Sequence, residues 1–298
     1  MISISLVKFI AVSIIPFSIF IAVFSRIFGK INKILGENYR KSNYKLGQLK
    51  TSSQLSALTK GELRLYFSIR IYVMNTIVGM LIVLGVAVLS LFKGSEFITS
   101  ILVVPEISTM LEAEKLSALI ACGTLIITIF GIGLTCTTMS SISLEGTNLW
   151  IKKTLPVSEK EIFKAKIISN LILTIPAAIL SNIIFYVALK FDVIYLMLNI
   201  IIAIVFLVLN AVLGLLINVY FPKLDWSNPT VVVKQSAAVF IGLVVTFASI
   251  ALPIAVFLLL KVENILMFLS FLAIIFLALL FITWNILMTK GVKQFKML

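Results

Sequence analysis

The chain has 298 residues, of which 61% are apolar and 12% are charged, and its mean hydropathy is +1.17. Soluble domains carry roughly 25% charged residues, so this composition excludes a soluble globular fold and indicates a membrane protein. The net charge is +13 and there is no histidine, which excludes catalysis or metal binding that needs an imidazole.

Seven apolar segments each reach the roughly 20 residues that a membrane-spanning helix requires. They are residues 2–24, 71–92, 119–140, 167–189, 194–220, 236–260 and 264–288. Their length and uniform apolarity favour helices over barrel strands, which alternate polar and apolar residues. We therefore expect an all-α, polytopic integral membrane protein with about seven transmembrane helices. The first segment lacks the features of a cleaved signal peptide, so we expect it to be retained.

The chain divides into five predicted regions. They are an N-terminal transmembrane helix (1–25), a basic cytoplasmic linker (26–53), an interfacial amphipathic helix (54–70), a six-helix transmembrane domain (71–288) and a cytoplasmic tail (289–298). In the interfacial helix, Leu55, Leu58, Leu65 and Ile69 share one face, and the charged residues are Lys60, Glu62, Arg64 and Arg70. An exposed helix with incidental leucines is the alternative.

Positive charge marks alternate connections. Four of them, residues 26–70, 141–166, 221–235 and the tail, hold 20 of the 25 Lys and Arg residues. The positive-inside rule makes these connections cytoplasmic, with the N-terminus outside and the C-terminus inside the cell membrane. The basicity is then a topology signal, and no nucleic-acid partner is expected. On the outer side, only residues 93–118 are long enough for a short helix, from about Pro105 to Lys115.

The six spans of the main domain contain no ionisable residue at mid-membrane depth, whereas proton-coupled carriers usually place such groups there. Any transport energy would then come from outside the membrane region. Asparagines in the spans would line a substrate path or hydrogen-bond between helices. Pro176 and Pro253 lie inside spans and are candidate hinges, with simple kinks as the alternative. Gly29-Lys30 lacks the context of a phosphate-binding loop, so no nucleotide site is expected in this chain.

The 143–166 segment combines large apolar residues with many charges. Pro156 and Ser158, followed by Glu161, predict a helix stop and a new capped helix. Trp150 then lies on a short helix before the turn, which suggests a docking surface. The alternative is a Trp at the membrane interface flanked by lysines that snorkel to water.

Two stretches resemble the permease subunits of bacterial type-2 ATP-binding-cassette exporters (ABC-2). One is S-x-E-G-x-x-x-W-x-x-x-x-x-P-V-S, here Ser143, Glu145, Gly146, Trp150, Pro156, Val157 and Ser158; the other is LTKGELRLYFSIRIYVMN, residues 58–75. In that family an interfacial helix precedes six spans, and the inner loop between core spans two and three docks on a separate ATPase. The 143–166 segment occupies this position.

The resemblance implies a transport subunit without catalytic residues or its own cofactor, in which ATP and Mg are bound by the partner ATPase. The implied docking residues are Ser143, Glu145, Gly146, Trp150, Ile151, Lys152, Lys153, Leu155 and Pro156. Trp150, Ile151 and Leu155 would fill an apolar groove on the ATPase, while Lys152 and Lys153 would pair with acids at its rim. Glu145 would hold the segment to a nearby basic residue or helix terminus.

Other implied partners are the lipid bilayer and a second copy or second permease half. Two features depart from the family. Only Lys261 to Asn264 separates the last two spans, which leaves Pro253 as the candidate break, and the chain resembles the second half of longer relatives. The cargo would be hydrophobic or peptidic. Alternatives to the exporter subunit are a stand-alone secondary transporter or channel, an intramembrane Ser-Lys enzyme and a scaffold.

Overall fold

The computed structural model describes residues 52–102, 113–262 and 264–298. The predicted N-terminal transmembrane helix, nearly all of the linker and most of the predicted outer helix from Pro105 to Lys115 lie outside these residues. Within them the protein is all-helical, as predicted, and has no strand.

The described helices follow the predicted order. We number the α-helices α1 (Gln54–Ser68), α2 (Arg70–Leu102), α3 (Ala113–Gly133), α4 (Leu149–Thr154), α5 (Glu159–Leu189), α6 (Val193–Tyr220), α7 (Pro229–Gln235), α8 (Ala237–Leu259), α9 (Ile265–Ile286) and α10 (Val292–Met297). Short 3₁₀ helices cover Thr137–Met139 and Ser143–Asn148, and a π-helical turn, Leu287–Gly291, joins α9 to α10.

Six helical stretches in the described residues are long and apolar enough to cross a membrane. They correspond to the six predicted spans of residues 71–288, which is compatible with a multi-pass membrane protein. The predicted tail, residues 289–298, is helical, and Phe295 in α10 is buried against Phe163 with the ring centroids 5.3 Å apart.

Helix α6 lies at the centre of this bundle and contacts α3, α5, α8 and α9. Its side chains are mostly apolar, and from Ile202 to Val219 most of them are buried, as in a helix with helices on several sides. Helices α2, α8 and α9 instead expose large apolar side chains on their outer faces. Helices α2 and α3 approach each other closely at Gly79, where an added Cβ atom would lie 2.1 Å from the carbonyl oxygen of Gly131.

The two ends of the bundle differ. One end, here called the loop end, carries α1, residues 134–158, residues 221–236 and α10. These parts contact one another: Lys152 pairs with Glu62, Lys153 Nζ donates to the Lys296 carbonyl, and the Trp226 ring NH donates to the Ser143 carbonyl. At the opposite end, a connection of three residues, Lys190 to Asp192, joins α5 to α6, and Lys190 has a left-handed φ of 52°. These two helices therefore form a tight hairpin.

The prediction of a continuous span over residues 119–140 is wrong at its C-terminal end. Helix α3 stops at Gly133, and residues 134–142, here called the break, are largely non-helical and buried. Non-helical backbone is tolerated at such depth only where protein groups satisfy its hydrogen bonds. The break therefore needs partners from elsewhere in the chain.

Candidate functional site: a braced segment at the loop end

Three asparagines supply the partners of the break. Asn210 donates to the Gly133 carbonyl at 2.8 Å, and Asn170 Oδ1 accepts from the Thr137 amide at 2.8 Å. Asn218 Oδ1 accepts from the Ile142 amide at 2.8 Å, and its Nδ2 donates to Ser143 Oγ at 2.7 Å. Of the two roles expected for the asparagines in the spans, these three show the hydrogen-bonding one, which here joins α5 and α6 to the break and its flanking residues. They also fix the point at which the 143–166 segment begins.

A group of four charged side chains then holds the segment itself. This charge cluster consists of Glu62 in α1, Glu145 in the second 3₁₀ helix, Lys152 in α4 and Lys166 in α5. Lys166 Nζ lies 3.0 Å from Glu62 Oε1, 2.6 Å from Glu145 Oε1 and 3.0 Å from the Ser141 carbonyl oxygen. Lys152 Nζ also contacts both carboxylates. The cluster thus ties three separate parts of the chain together.

Burial makes this pairing obligatory. The Lys166 side chain is 0% exposed, each carboxylate side chain is 7% exposed, and Lys152 is 20% exposed. A buried charge without a partner is strongly unfavourable, whereas two ammonium and two carboxylate groups are neutral together. The cluster therefore favours one position of the segment relative to α1 and α5.

The charge cluster gives Lys152 a role within its own chain that the sequence does not predict. Its ammonium group binds the carboxylates of Glu62 and Glu145. Lys153, in contrast, is exposed; its Nζ lies 3.3 Å from the Lys296 carbonyl oxygen and 5.7 Å from the centre of the Phe295 ring. Glu145 contacts the basic residues Lys152 and Lys166, the kind of contact expected of it.

The burial of Lys166 and Glu62 is not predicted from the sequence, where they count only as an inner positive charge and a charge of the interfacial helix. The helical spacing does indicate burial of Lys166, because it falls on the same face of α5 as Ile162, Phe163 and Asn170, all of which are buried. In α1 the most buried residues are Thr59, Glu62 and Tyr66, and the predicted leucines lie beside them, half-buried. The inward face of α1 is thus centred on a carboxylate.

Gly146 occupies a position that only glycine suits. Its backbone has φ 56° and ψ −137°, a region that side chains with a Cβ rarely adopt. A Cβ atom there would also lie 3.1 Å from Nε1 of Trp226, whose ring NH donates to the Ser143 carbonyl at 2.7 Å. The glycine turn and Trp226 together hold the start of the segment against residues 221–228.

We expect Gly146→Ala to lower the free energy of unfolding by about 1–3 kcal/mol, because it combines backbone strain with a tight contact. Gly61 in α1 offers a matched control, since it is helical and a Cβ there would meet open space. Gly61→Ala should be neutral or stabilise by up to about 1 kcal/mol. Chemical denaturation of both variants in detergent measures the difference; equal effects would argue against the assigned role of Gly146.

The predicted helix boundary at Ser158 is confirmed. Ser158 Oγ accepts from the Glu161 amide at 3.3 Å, and α5 begins at Glu159. The carboxylate of Glu161 accepts from Lys164 at 2.7 Å instead of completing a capping box. Residues 155–158, which include Pro156, form the turn between α4 and α5.

Three apolar side chains of the segment are exposed at the loop end. Trp150 is 62% exposed, Ile151 is 47% exposed and Leu155 is 40% exposed, whereas Leu149 beside them is buried. We call Trp150, Ile151 and Leu155 the apolar patch. Buried contacts fix the segment on its inner side, so the patch is held in place on its outer side.

The remaining candidate residues lie away from this site. Pro176 and Pro253 lie inside α5 and α8, and both helices continue through the proline. The candidate break of the fifth core span at Pro253 is therefore not observed. Lys60 and Arg64 in α1 and Arg70, the first residue of α2, are exposed and do not join the charge cluster.

Comparison with known proteins gives no independent identification. No protein-family model, no curated protein and no solved structure matches this chain. The resemblance to ABC-2 permeases therefore stays a prediction that rests on the two sequence stretches.

Proposed function

We propose that this chain is the membrane-spanning permease subunit of an ATP-driven exporter. A separate ATP-binding-cassette ATPase would bind ATP and Mg, and it would dock on the apolar patch. The chain itself would perform no covalent chemistry. Its hydrophobic or peptidic cargo would cross the membrane when two six-helix units, from two copies or two permease halves, rock between inward-open and outward-open states.

The observation that carries this proposal is an exposed patch on a braced support. An exposed Trp side chain is a typical anchor of a protein interface when the surrounding structure holds it in place. Here the support is the charge cluster below α4, the Asn218 bonds at the start of the segment and the Gly146 turn. A residue that merely sits in the membrane interface would not need this bracing.

The charge distribution supports the orientation. The loop end carries the lysine-rich segments 143–166, 221–235 and 289–298, so the positive-inside rule assigns this end to the cytoplasm of a multi-pass protein in the cell membrane. An ATPase that uses cytoplasmic ATP would meet the chain at this end. The N-terminus would then be outside and the C-terminus inside.

The contacts also suggest a route for mechanical coupling. A force on Trp150 would displace α4. Through Lys152, this displacement would act on Glu62 in α1 and on Glu145, and Glu145 would transmit it to Lys166 in α5. A segment held by buried ion pairs transmits displacement instead of absorbing it, because packed interiors do not deform continuously.

Purification of the full chain from its native membrane tests the proposal. We expect an ATP-binding-cassette ATPase to co-purify in near-stoichiometric amount and the reconstituted complex to hydrolyse ATP. Cargo movement that persists after ATP depletion, with no such ATPase bound, would instead indicate the stand-alone carrier or channel.

A further inference from the structure

The outward face of α1 carries a basic stripe with one aromatic residue. Lys60, Arg64 and Phe67 are spaced four and three residues apart, so they share one side of the helix. All three are exposed, and Phe67 is 64% exposed. Arg70, the first residue of α2, is also exposed. This stripe lies opposite the inward face that holds Glu62.

The stripe is positively charged without local compensation. Glu62 is the only acidic residue between positions 54 and 70, and it is buried and paired with Lys152 and Lys166. Within residues 52–102, 113–262 and 264–298, neither Lys60, Arg64 nor Arg70 forms an ion pair. The exposed face of α1 and the first residue of α2 therefore offer three positive charges to a ligand.

The position of the stripe indicates what that ligand is. One turn beyond Arg70, α2 exposes Met74, Ile77 and Val78, which begin its long apolar outer face. In a membrane this face would meet acyl chains, so the residues just before it lie at the level of the lipid headgroups. An exposed Phe side chain is a typical apolar anchor of a helix that lies in the membrane interface.

We propose that the headgroups of anionic phospholipids bind the stripe formed by Lys60, Arg64 and Arg70, while Phe67 inserts among their acyl chains. Bound lipid would hold the outward face of α1 in place, while Lys152 and Lys166 hold its inward face through Glu62. The lipid would thereby stabilise the position of the 143–166 segment. This inference does not depend on the chain being an exporter subunit.

The test uses the full chain in uncharged detergent, titrated with phosphatidylglycerol or phosphatidylcholine, with bound lipid counted by native mass spectrometry. We expect a clear preference for phosphatidylglycerol. Each basic residue near an anionic surface is worth about a fivefold change in affinity. The triple variant Lys60→Gln, Arg64→Gln, Arg70→Gln should therefore bind phosphatidylglycerol on the order of 100-fold more weakly.

A second triple variant, Lys160→Gln, Lys223→Gln, Lys290→Gln, removes the same charge from exposed lysines elsewhere at the loop end. It should retain affinity within about threefold. Phe67→Ser, which changes no charge, should weaken binding of phosphatidylglycerol, and inorganic phosphate should not displace the lipid. Equal losses in the two triple variants, or equal binding of the two lipids, would overturn the proposal. So would displacement by phosphate.

Discussion

Lys166→Met is expected to lower the free energy of unfolding by about 3–5 kcal/mol, the range seen when one partner of a buried ion pair is removed. Methionine fills a similar length but leaves two nearly buried carboxylates, Glu62 and Glu145, with only Lys152 between them. The Ser141 carbonyl of the break also loses its donor. Denaturation in a mild detergent, followed by circular dichroism, measures the loss.

Lys164→Met is the matched control on the same helix. Lys164 pairs with Glu161 near the surface, where its side chain is 40% exposed, and such pairs contribute at most about 1 kcal/mol. Adding Glu62→Gln to Lys166→Met should recover part of the loss, because the remaining Lys152 and Glu145 balance each other. If Lys166→Met cost no more than Lys164→Met, the charge cluster would not brace the segment.

If the chain is the exporter subunit proposed above, Trp150→Ala is expected to weaken capture of its ATPase by about 30-fold or more while the chain remains folded, since a central interface tryptophan commonly contributes 2 kcal/mol or more. The side chain is exposed, so its removal leaves the internal contacts of the segment intact. Binding is measured by titrating the ATPase that co-purifies with the chain onto the chain in detergent, with thermal unfolding of the chain alone as the check on folding.

Phe240 provides the control for a general loss of exposed aromatic surface. It lies near the loop end, in the first turn of α8, and is 70% exposed. Phe240→Ala should leave capture within about twofold. Lys153→Glu should mainly slow association and change its salt dependence, because a rim charge steers encounter. Lys152→Glu is unsuitable as a docking test, since it would disrupt the charge cluster.

The helices themselves could be predicted because their apolar runs and caps are local. The spans over 194–220 and 264–288 differ from α6 and α9 by at most two residues at either end, and the helix start after Ser158 is correct. The distribution of Lys and Arg among the connections also distinguishes the loop end of the bundle from the opposite end. These features depend on residues close together in the chain, which is the information that a single sequence contains.

The break and the charge cluster could not be predicted because their partners are distant in sequence. Residues 134–142 are uncharged, as in a spanning helix, and their Thr and Ser residues only weaken helix propensity without fixing where a helix ends. The break is stabilised by Asn170, Asn210 and Asn218. Glu62 is 90 residues from Lys152 and 104 from Lys166. A basic helix with one acid gives no indication of which lysines that acid will meet.

The proposed function requires that an ATPase bind the apolar patch formed by Trp150, Ile151 and Leu155. The most direct measurement replaces Trp150 with the photoreactive residue p-benzoylphenylalanine and irradiates the full chain in its native membrane. We predict that the main cross-linked protein, identified by mass spectrometry, is an ATP-binding-cassette ATPase, and that a probe at Phe240 does not capture it. Cross-links from position 150 to lipid alone would show that Trp150 lies in the membrane interface and does not dock on an ATPase.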